Sequence, residues 1–542
     1  MENLEHCIQF AFFSQADTQK RNIFKLKRPN FPSIPWLSHS LNCKMLVLLL
    51  CSVCFPVFVV GLGSPKPHII FILADDLGWH DVGYHGSIIE TPNIDRLAAD
   101  GVKLENYYVT PMCSPTRSVL MTGRYQTRTA MQHHVLYGSE PKCLPLDEVL
   151  LPQKLKENGY ATHMVGKWHL GFYKWDCVPN HRGFDSFFGF YLALGDYFNH
   201  SQVFHGHWFY DLRDNDKMVA KQYEGQYSTI LFARKAREIL WNHNPNVPLF
   251  LYLSFQAVHA PLQVPAQYSD RYLGKLEDED RRLYAGLTTC MDEAIGKVVD
   301  TLKAAGLWSN SLIVFSTDNG GAARHGGSNW PLRGQKGSLF EGGVRGPAFV
   351  SGPVLKEGVR GTVNRELLYV GDWFPTFVHL AGGTTNGTKP LDGLNQWQTI
   401  SQGTPSPRKE ILHNIDHLRF QPLHSGSEPF QDTSLFDIRV SASIRMGNWK
   451  LLTGSIGGNF WTTPLELGGD KDTKKHGNPV LFNIRDDPKE REDLVNCRPD
   501  IVHRLLKRLH FHNNTVVVPV HLKRQKESAD RIFHDMAWSP WE

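Results

Sequence analysis

The sequence predicts an α/β protein: a large, mostly parallel sheet between helices, then a smaller C-terminal α+β domain with an antiparallel sheet. Three observations carry this expectation. Short, almost continuously apolar runs recur from about residue 66, as buried parallel strands require. Between them lie longer stretches with apolar residues at three- and four-residue spacing, the period of amphipathic helices. After about residue 400 the pattern turns to alternating segments.

HIIFILADD is the first such strand and ends in Asp75 and Asp76. NIDRLAADG reads as a short helix closed by Gly101, and STILFARKAREILWNH as a longer one. PLFLYLSFQAVH is a second strand, ending near His259. Leu283, Leu287, Met291, Ile295, Val298 and Leu302 form one helical stripe, with Gly306 as its stop. SLIVFSTDNGG is a third strand, followed by Asp318 and Asn319. In open parallel sheets ligands gather beyond the carboxyl ends of strands, so these polar ends are expected around one crevice. TPSPRKE reads as a linker between a domain over residues 66–400 and one over 408–542. In the second, VSASIRMGNWKLLTG and PVLFNIRDDP supply strands, and DIVHRLLKRLHFHNN a helix.

The chain has 542 residues, 41% hydrophobic and 21% charged, with a formal charge of +4. That charge is too small to imply a nucleic-acid surface. One uncharged segment, Met45–Gly63, follows Lys44 and ends in small residues, as a cleaved secretory signal does; a signal anchor is the alternative. Residues 1–44 read as a disordered lead or an upstream extension, with Met45 as the natural initiator. Cys113, Cys143, Cys177, Cys290 and Cys497 remain after the signal, an odd number for a secretory chain. The tripeptides at Asn199, Asn386 and Asn513 are N-glycosylation acceptors on that route. No stable membrane span is expected.

YYVTPMCSPTRSVLMTGRYQTRT places Cys113 at the start of a helix whose first turn holds Pro115 and Arg117. Exposed N–H groups and the arginine suit an anion there, although a secreted cysteine is more often half of a disulfide. Asp75–Asp76 and Asp318–Asn319 offer hard oxygen ligands to a divalent cation such as Ca²⁺, or are solvated turns. GYATHMVGKWHLG sets Lys167 and His169 two apart, facing one way if extended. A lysine can bind an oxyanion and a histidine can move a proton; Lys336 and His259 repeat these types.

Together these motifs resemble the sulfatase family: Cys113-Ser-Pro-Thr-Arg117 followed by Thr122-Gly123-Arg124, then GYATHMVGKWHLG. The similarity runs from about residue 66 to LFNIRDDPKEREDL and beyond. It is strongest to the group of arylsulfatases B, I and J, through LPQKLKENGYATHMVGKWHLGFY, NWPLRGQKGS and NGTKPLDG. The resemblance implies an alkaline-phosphatase-like fold and a secreted or lysosomal enzyme cleaving sulfated sugars, such as glycosaminoglycans, or aryl sulfates. In this family a dedicated formylglycine-generating enzyme of the endoplasmic reticulum oxidises the motif cysteine to Cα-formylglycine, whose hydrate attacks sulfur through one hydroxyl and expels sulfate through the other. Carried over, Asp75, Asp76, Asp318, Asn319 and modified Cys113 bind one Ca²⁺. Arg117 holds the diol, Lys167 and Lys336 the sulfate oxygens, His169 acts as base and His259 as acid. The resemblance also pairs Cys143 with Cys177, leaving Cys290 and Cys497 free. The segment from Ala193 to Gly225 departs from arylsulfatase B and lacks its cysteine pair; loops of that kind shape the sugar pocket, so the resemblance does not fix the natural substrate. A phosphate- or phosphonate-ester hydrolase of the same superfold and a non-catalytic glycan-binding relative are the other readings.

Overall fold

The computed structural model describes residues 65–204, 206–422, 435–469, 471–474, 476–519 and 536–542. The signal segment and residues 1–44 lie outside the described residues. Fourteen strands build the two principal sheets: β1 (His68–Ala74), β2 (Val102–Leu104), β3 (Ala161–Lys167), β4 (Ser186–Phe190), β5 (Arg213–Asp214), β6 (Lys217–Met218), β7 (Leu249–Ser254), β8 (Ser311–Thr317), β9 (Ala348–Ser351), β10 (Thr362–Asn364), β11 (Glu410–Phe420), β12 (Val440–Met446), β13 (Trp449–Thr453) and β14 (Val480–Asn483).

The first sheet has ten strands in the order β10-β2-β9-β8-β1-β7-β3-β4-β5-β6. Its centre, β8-β1-β7-β3-β4, is parallel, and antiparallel pairs flank it on both sides. Along β1, Ile69, Phe71 and Leu73 face one hydrophobic cluster while Ile70, Ile72 and Ala74 face another. Both faces are therefore dry, which is why this strand reads as an unbroken apolar run.

Five helices matter for the site and its support: α1 (Pro92–Ala99), α2 (Cys113–Thr122), α3 (Ser228–Asn242), α4 (Glu279–Ala304) and α5 (Pro499–Asn513). The expected stripe on α4 is realised, with Leu287, Met291, Ile295, Val298 and Leu302 in the second cluster beside Leu231 and Leu240 of α3. Asp278 caps α4 by accepting from the Arg281 N–H at 2.7 Å. α2 packs Val119, Leu120 and Met121 into the first cluster, on the opposite face.

The C-terminal sheet is antiparallel, in the order β11-β12-β13-β14. α5 covers it with Ile501, Val502, Leu505, Leu506 and Leu509, which join the first cluster. Cys143 and Cys177 form a disulfide. Cys113, Cys290 and Cys497 are free, the first two buried. No helix among the described residues is long and apolar enough to cross a membrane. Asn199 and Asn386 are exposed and Asn513 half-buried.

Candidate active site

The sheet register brings strand ends level: Ala74 pairs with Thr317, Leu73 with Ser254, and Ser254 with Gly166. Asp75–Asp76, Asp318–Asn319, Lys167 and His259 thus emerge at one end of the sheet, and α2 points its N-terminus at them. Met112 is extended before Cys113 (φ −144, ψ 158), so the helix starts at the cysteine itself. The Thr110 N–H donates to Thr116 Oγ1 at 2.9 Å, tying the preceding loop to the first turn. At the far end Gly123 closes the helix in the left-handed region (φ 66), and a Cβ there would lie 2.8 Å from Phe374 Cβ. Arg124 then reaches Glu148 at 2.5 Å. Thr122-Gly123-Arg124 thereby fixes the helix that carries Cys113.

Arg117 is fully buried and turns toward the strand ends. Its Nε and Nη2 donate to Asp318 Oδ2 at 3.1 and 2.7 Å, and its Nη1 to the Lys167 carbonyl at 3.0 Å and Ser254 Oγ at 2.6 Å. Asp75 Oδ2 lies 3.7 Å from Nη2 and also takes the Lys167 ammonium. Asp76 accepts from Asn319 Nδ2 at 2.7 Å and from Lys336 Nζ at 2.6 Å, while its own N–H donates to Asp318 Oδ1 at 3.2 Å.

Ligand atoms of Asp75, Asp76 and Asp318 lie within 4.8 Å of one another, as do those of Asp75, Cys113 and His259. These residues fit a hard cation. Asp75 Oδ1 and Asn319 Oδ1 are buried oxygens without a partner. Burial, followed by the charge of Asp318, pushes the Asp75 carboxyl up to about 8, so this oxygen cluster favours one more positive charge. Burial also opposes ionisation of Asp76 and Asp318. Lys336 and His259 outweigh it at Asp76, and Arg117 and Lys167 at Asp318, holding both below the usual carboxylate range.

The expected common direction of Lys167 and His169 rests on an extended segment, yet β3 ends at Lys167 and His169 is left-handed (φ 56). That turn sends His169 Nε2 to the Leu136 carbonyl at 3.1 Å and leaves Nδ1 buried and unpartnered. Burial, then Lys167 and Arg117, lowers its pKa far below the ordinary imidazole value. A neutral ring that donates through Nε2 presents a lone pair at Nδ1. His259 donates Nδ1–H to the Ala260 carbonyl at 2.6 Å and holds Nε2 3.6 Å from Asp76 Oδ2; burial, then Lys336, pushes it down to about 3. Burial raises the Cys113 pKa, so the unmodified residue is a thiol rather than a thiolate.

Four supporting residues gave no signal in the sequence. Ser254 binds Arg117, as above. Asp81 Oδ2 accepts from the Gly78 and Ser328 N–H groups at 3.0 and 2.9 Å, and Arg281 of α4 pairs with Asp81 at 2.6 Å. Tyr284, one turn further along α4, donates to the Asp76 carbonyl at 3.0 Å or to Asp81 at 2.8 Å. This network holds Asp76 in a left-handed conformation (φ 64) that residues other than glycine seldom adopt.

The chain matches the family model Sulfatase over residues 67–383. Mouse arylsulfatase J is 46% identical over 489 residues, covering 88% of this chain and 81% of its own. Human N-acetylgalactosamine-6-sulfatase is 33% identical over 383 residues, 66% of this chain and 70% of its own. The crystal structure of Ps i-CgsB in complex with k-i-k-neocarrahexaose superposes with a TM-score of 0.72 at 30% identity, covering 87% of this chain and 97% of that one. The phosphonate monoester hydrolase of Agrobacterium radiobacter shares the fold (TM-score 0.55, 19% identity, 83% of this chain and 96% of that one). On this family match and these identities, the chain belongs to the sulfatase family and is a sulfuric ester hydrolase.

Proposed function

We propose that the protein is an arylsulfatase-type hydrolase of sulfated sugars that works with Cys113 converted to Cα-formylglycine and with one Ca²⁺. The observation that carries this reading is the set of unsatisfied groups around Cys113: Asp75 Oδ1, Asn319 Oδ1 and His169 Nδ1 are buried at a helix N-terminus with nothing to bind. Asp75, Asp76, Asp318 and Asn319, with the modified Cys113, would hold the ion, which supplies charge for polarising a sulfate ester and stabilising an ionised hydroxyl. The formylglycine hydrate supplies a hydroxyl to attack sulfur and a second one to release sulfate.

Charge supports the assignment. Three carboxylates here face three fixed cations, Arg117, Lys167 and Lys336. A divalent ion therefore leaves two positive charges, which one sulfate monoester and one deprotonated hydroxyl neutralise. Lys167 and Lys336, now on the carboxylates, sit where they can also donate to sulfate oxygens. Arg117 has one remaining donor direction, on the Asp75 side, for the hydroxyl. His169 is the proton acceptor, because Nδ1 is a buried lone pair. His259 is the proton donor to the leaving oxygen, and its depressed pKa makes that role depend on the negative charge that a bound sulfate ester brings.

The same reading places the mature chain in the secretory pathway, lysosomal or secreted, with the formylglycine-generating enzyme as its partner in maturation. It keeps residues 66–400 as the catalytic domain and 408–542 as the smaller one. The shared fold of the phosphonate hydrolase leaves phosphonate esters as the second reading. Mass spectrometry of the peptide ending at Arg117, together with hydrolysis of 4-nitrophenyl sulfate and 4-nitrophenyl phenylphosphonate, tests both. Formylglycine with sulfate preference is expected. Thiol throughout, with the modifying enzyme present, or phosphonate preference, sinks the proposal.

A further inference from the structure

A cavity of about 340 Å³ lies directly beside the crevice, and it is basic. Met112, the residue before Cys113, and Lys336 line it on the catalytic side, and Arg324, Arg419 and His134 line it elsewhere. Among the described residues no aspartate or glutamate lines it. Its volume is in the range of small-ligand sites, about 300–1,000 Å³, and far more than one sulfate group needs.

The two arginines are set there by the same loops that build the site. Arg324 follows Asp318 and Asn319 in one loop. That loop is clamped to the Lys336 loop: the Lys336 N–H donates to the Gly321 carbonyl at 3.2 Å, and the Ala323 N–H to Gln335 Oε1 at 3.0 Å. Asn329 grips Gly321 from both sides, at 2.7 and 2.8 Å. The Gly337 N–H donates to the Pro111 carbonyl at 2.8 Å, which joins the same loops to the start of α2. Arg324 is exposed and makes no ion pair among the described residues. Arg419 donates from Nη2 to His134 Nδ1 at 3.1 Å and lies only 3.7 Å from Asp416, whose nearer partner is His133 at 2.7 Å. The Arg419 side chain keeps 29% of its surface exposed. Two guanidinium groups thus face a recess beside Lys336 with little compensating negative charge, and such a field concentrates anions. Their planar forks match carboxylate and sulfate oxygens alike.

We propose that this cavity is a second anion subsite, in which Arg324 and Arg419 hold an acidic group, carboxylate or sulfate, on a sugar linked to the one that carries the scissile ester. The preferred substrate is therefore a sulfated oligosaccharide with at least two anionic groups. The proposal rests on the sulfatase reading above and narrows its substrate class.

Formylglycine-bearing enzyme, wild type and as Arg324→Gln, Arg419→Gln and the double variant, is assayed on four substrates. These are 4-nitrophenyl sulfate, a disaccharide whose single anionic group is the scissile sulfate, the same disaccharide with a second sulfate on the adjacent ring, and its analogue with a uronate there. Wild type is expected to favour one or both dianionic sugars over the monosulfated one by about tenfold or more in kcat/KM. Each Gln variant should erase most of that preference, chiefly through KM, and change 4-nitrophenyl sulfate hydrolysis far less. Arg324→Lys should recover part of it. Whichever dianion leads identifies the group held, sulfate or carboxylate. Turnover with no preference for a second anion, or a preference untouched in the double variant, overturns the subsite alone. No sulfate release from any substrate overturns the sulfatase reading and the subsite with it.

Discussion

Two buried charge clusters sit at opposite extremes of completeness. Asp372 and Arg408 are almost wholly excluded from water, and every polar atom of their side chains is engaged. Asp372 accepts from Arg408 Nε at 2.9 Å, from the Tyr369 and Leu394 N–H groups at 2.9 and 2.8 Å, and from Gln396 at 3.1 Å. Arg408 also donates to the Glu410 and Asp392 carbonyls at 3.1 and 2.8 Å. The crevice around Cys113 is as deeply buried, yet Asp75 Oδ1, Asn319 Oδ1 and His169 Nδ1 lack partners, and Asp76 and His169 are held left-handed. The Asp372–Arg408 pair only joins elements and is closed, since an unpaired buried polar group costs about 1–3 kcal/mol. One that must receive an ion and a substrate is kept open, and the surrounding network holds it so.

Five changes would break or sharpen that contrast. Cys113→Ser should have the largest effect. It leaves one hydroxyl where two are proposed, so turnover should fall by about 10⁴-fold or more, comparable to losing a nucleophile elsewhere. Intact-mass measurement should show one sulfate retained per chain, while the melting temperature stays near that of the unmodified protein. Steady turnover without a sulfated chain would contradict the two-hydroxyl chemistry.

His169→Ala removes the buried lone pair and should lower kcat by about 10²–10⁴-fold, the usual reach of a positioned proton acceptor. A variant with unaltered kcat would return His169 to a structural role. In the closed cluster the outcome should invert. Arg408→Ala strands Asp372 as a buried charge and should cost about 3–5 kcal/mol in urea denaturation, with the specific activity of the folded fraction preserved. Asp318→Asn should do the opposite, abolishing activity with the smaller loss of stability.

The smallest expected effect is pH-dependent. Because the Asp75 pKa is raised in the metal-free fold from 3.8 to about 8, the unfolded chain ionises first. Chelated protein should therefore be most stable, with respect to this group, below about pH 4, and should lose that contribution as pH rises toward 8. Added Ca²⁺ should flatten the slope. Melting temperatures that are equally pH-dependent with and without Ca²⁺ would argue against a metal at Asp75.

Much of the site was legible because its chemistry is local in sequence. Asp75–Asp76 and Asp318–Asn319 directly follow apolar strands, and the order of such strands in a parallel sheet brings their ends together. The Cys113 motif carries its own helix start. His169 was found for a partly mistaken reason, since alternation along a strand says nothing once the backbone turns left-handed. Asp81, Arg281, Tyr284 and Ser254 were invisible because their roles depend on contacts between distant segments, and each looks like an ordinary residue of a loop, helix or strand. TPSPRKE reads as a linker from its prolines, yet its Arg408 is buried in the closed cluster, because the Asp372 carboxylate that receives it lies far back in the chain.

The most direct measurement follows Cys113 itself. Preparations that differ only in the fraction of Cys113 converted to formylglycine, quantified by peptide mass spectrometry, are assayed with 4-nitrophenyl sulfate in excess Ca²⁺. The expected result is a rate proportional to the converted fraction, passing through zero for the pure thiol. A preparation carrying only the thiol that hydrolyses the ester as fast as the converted enzyme would contradict the proposed chemistry of this crevice.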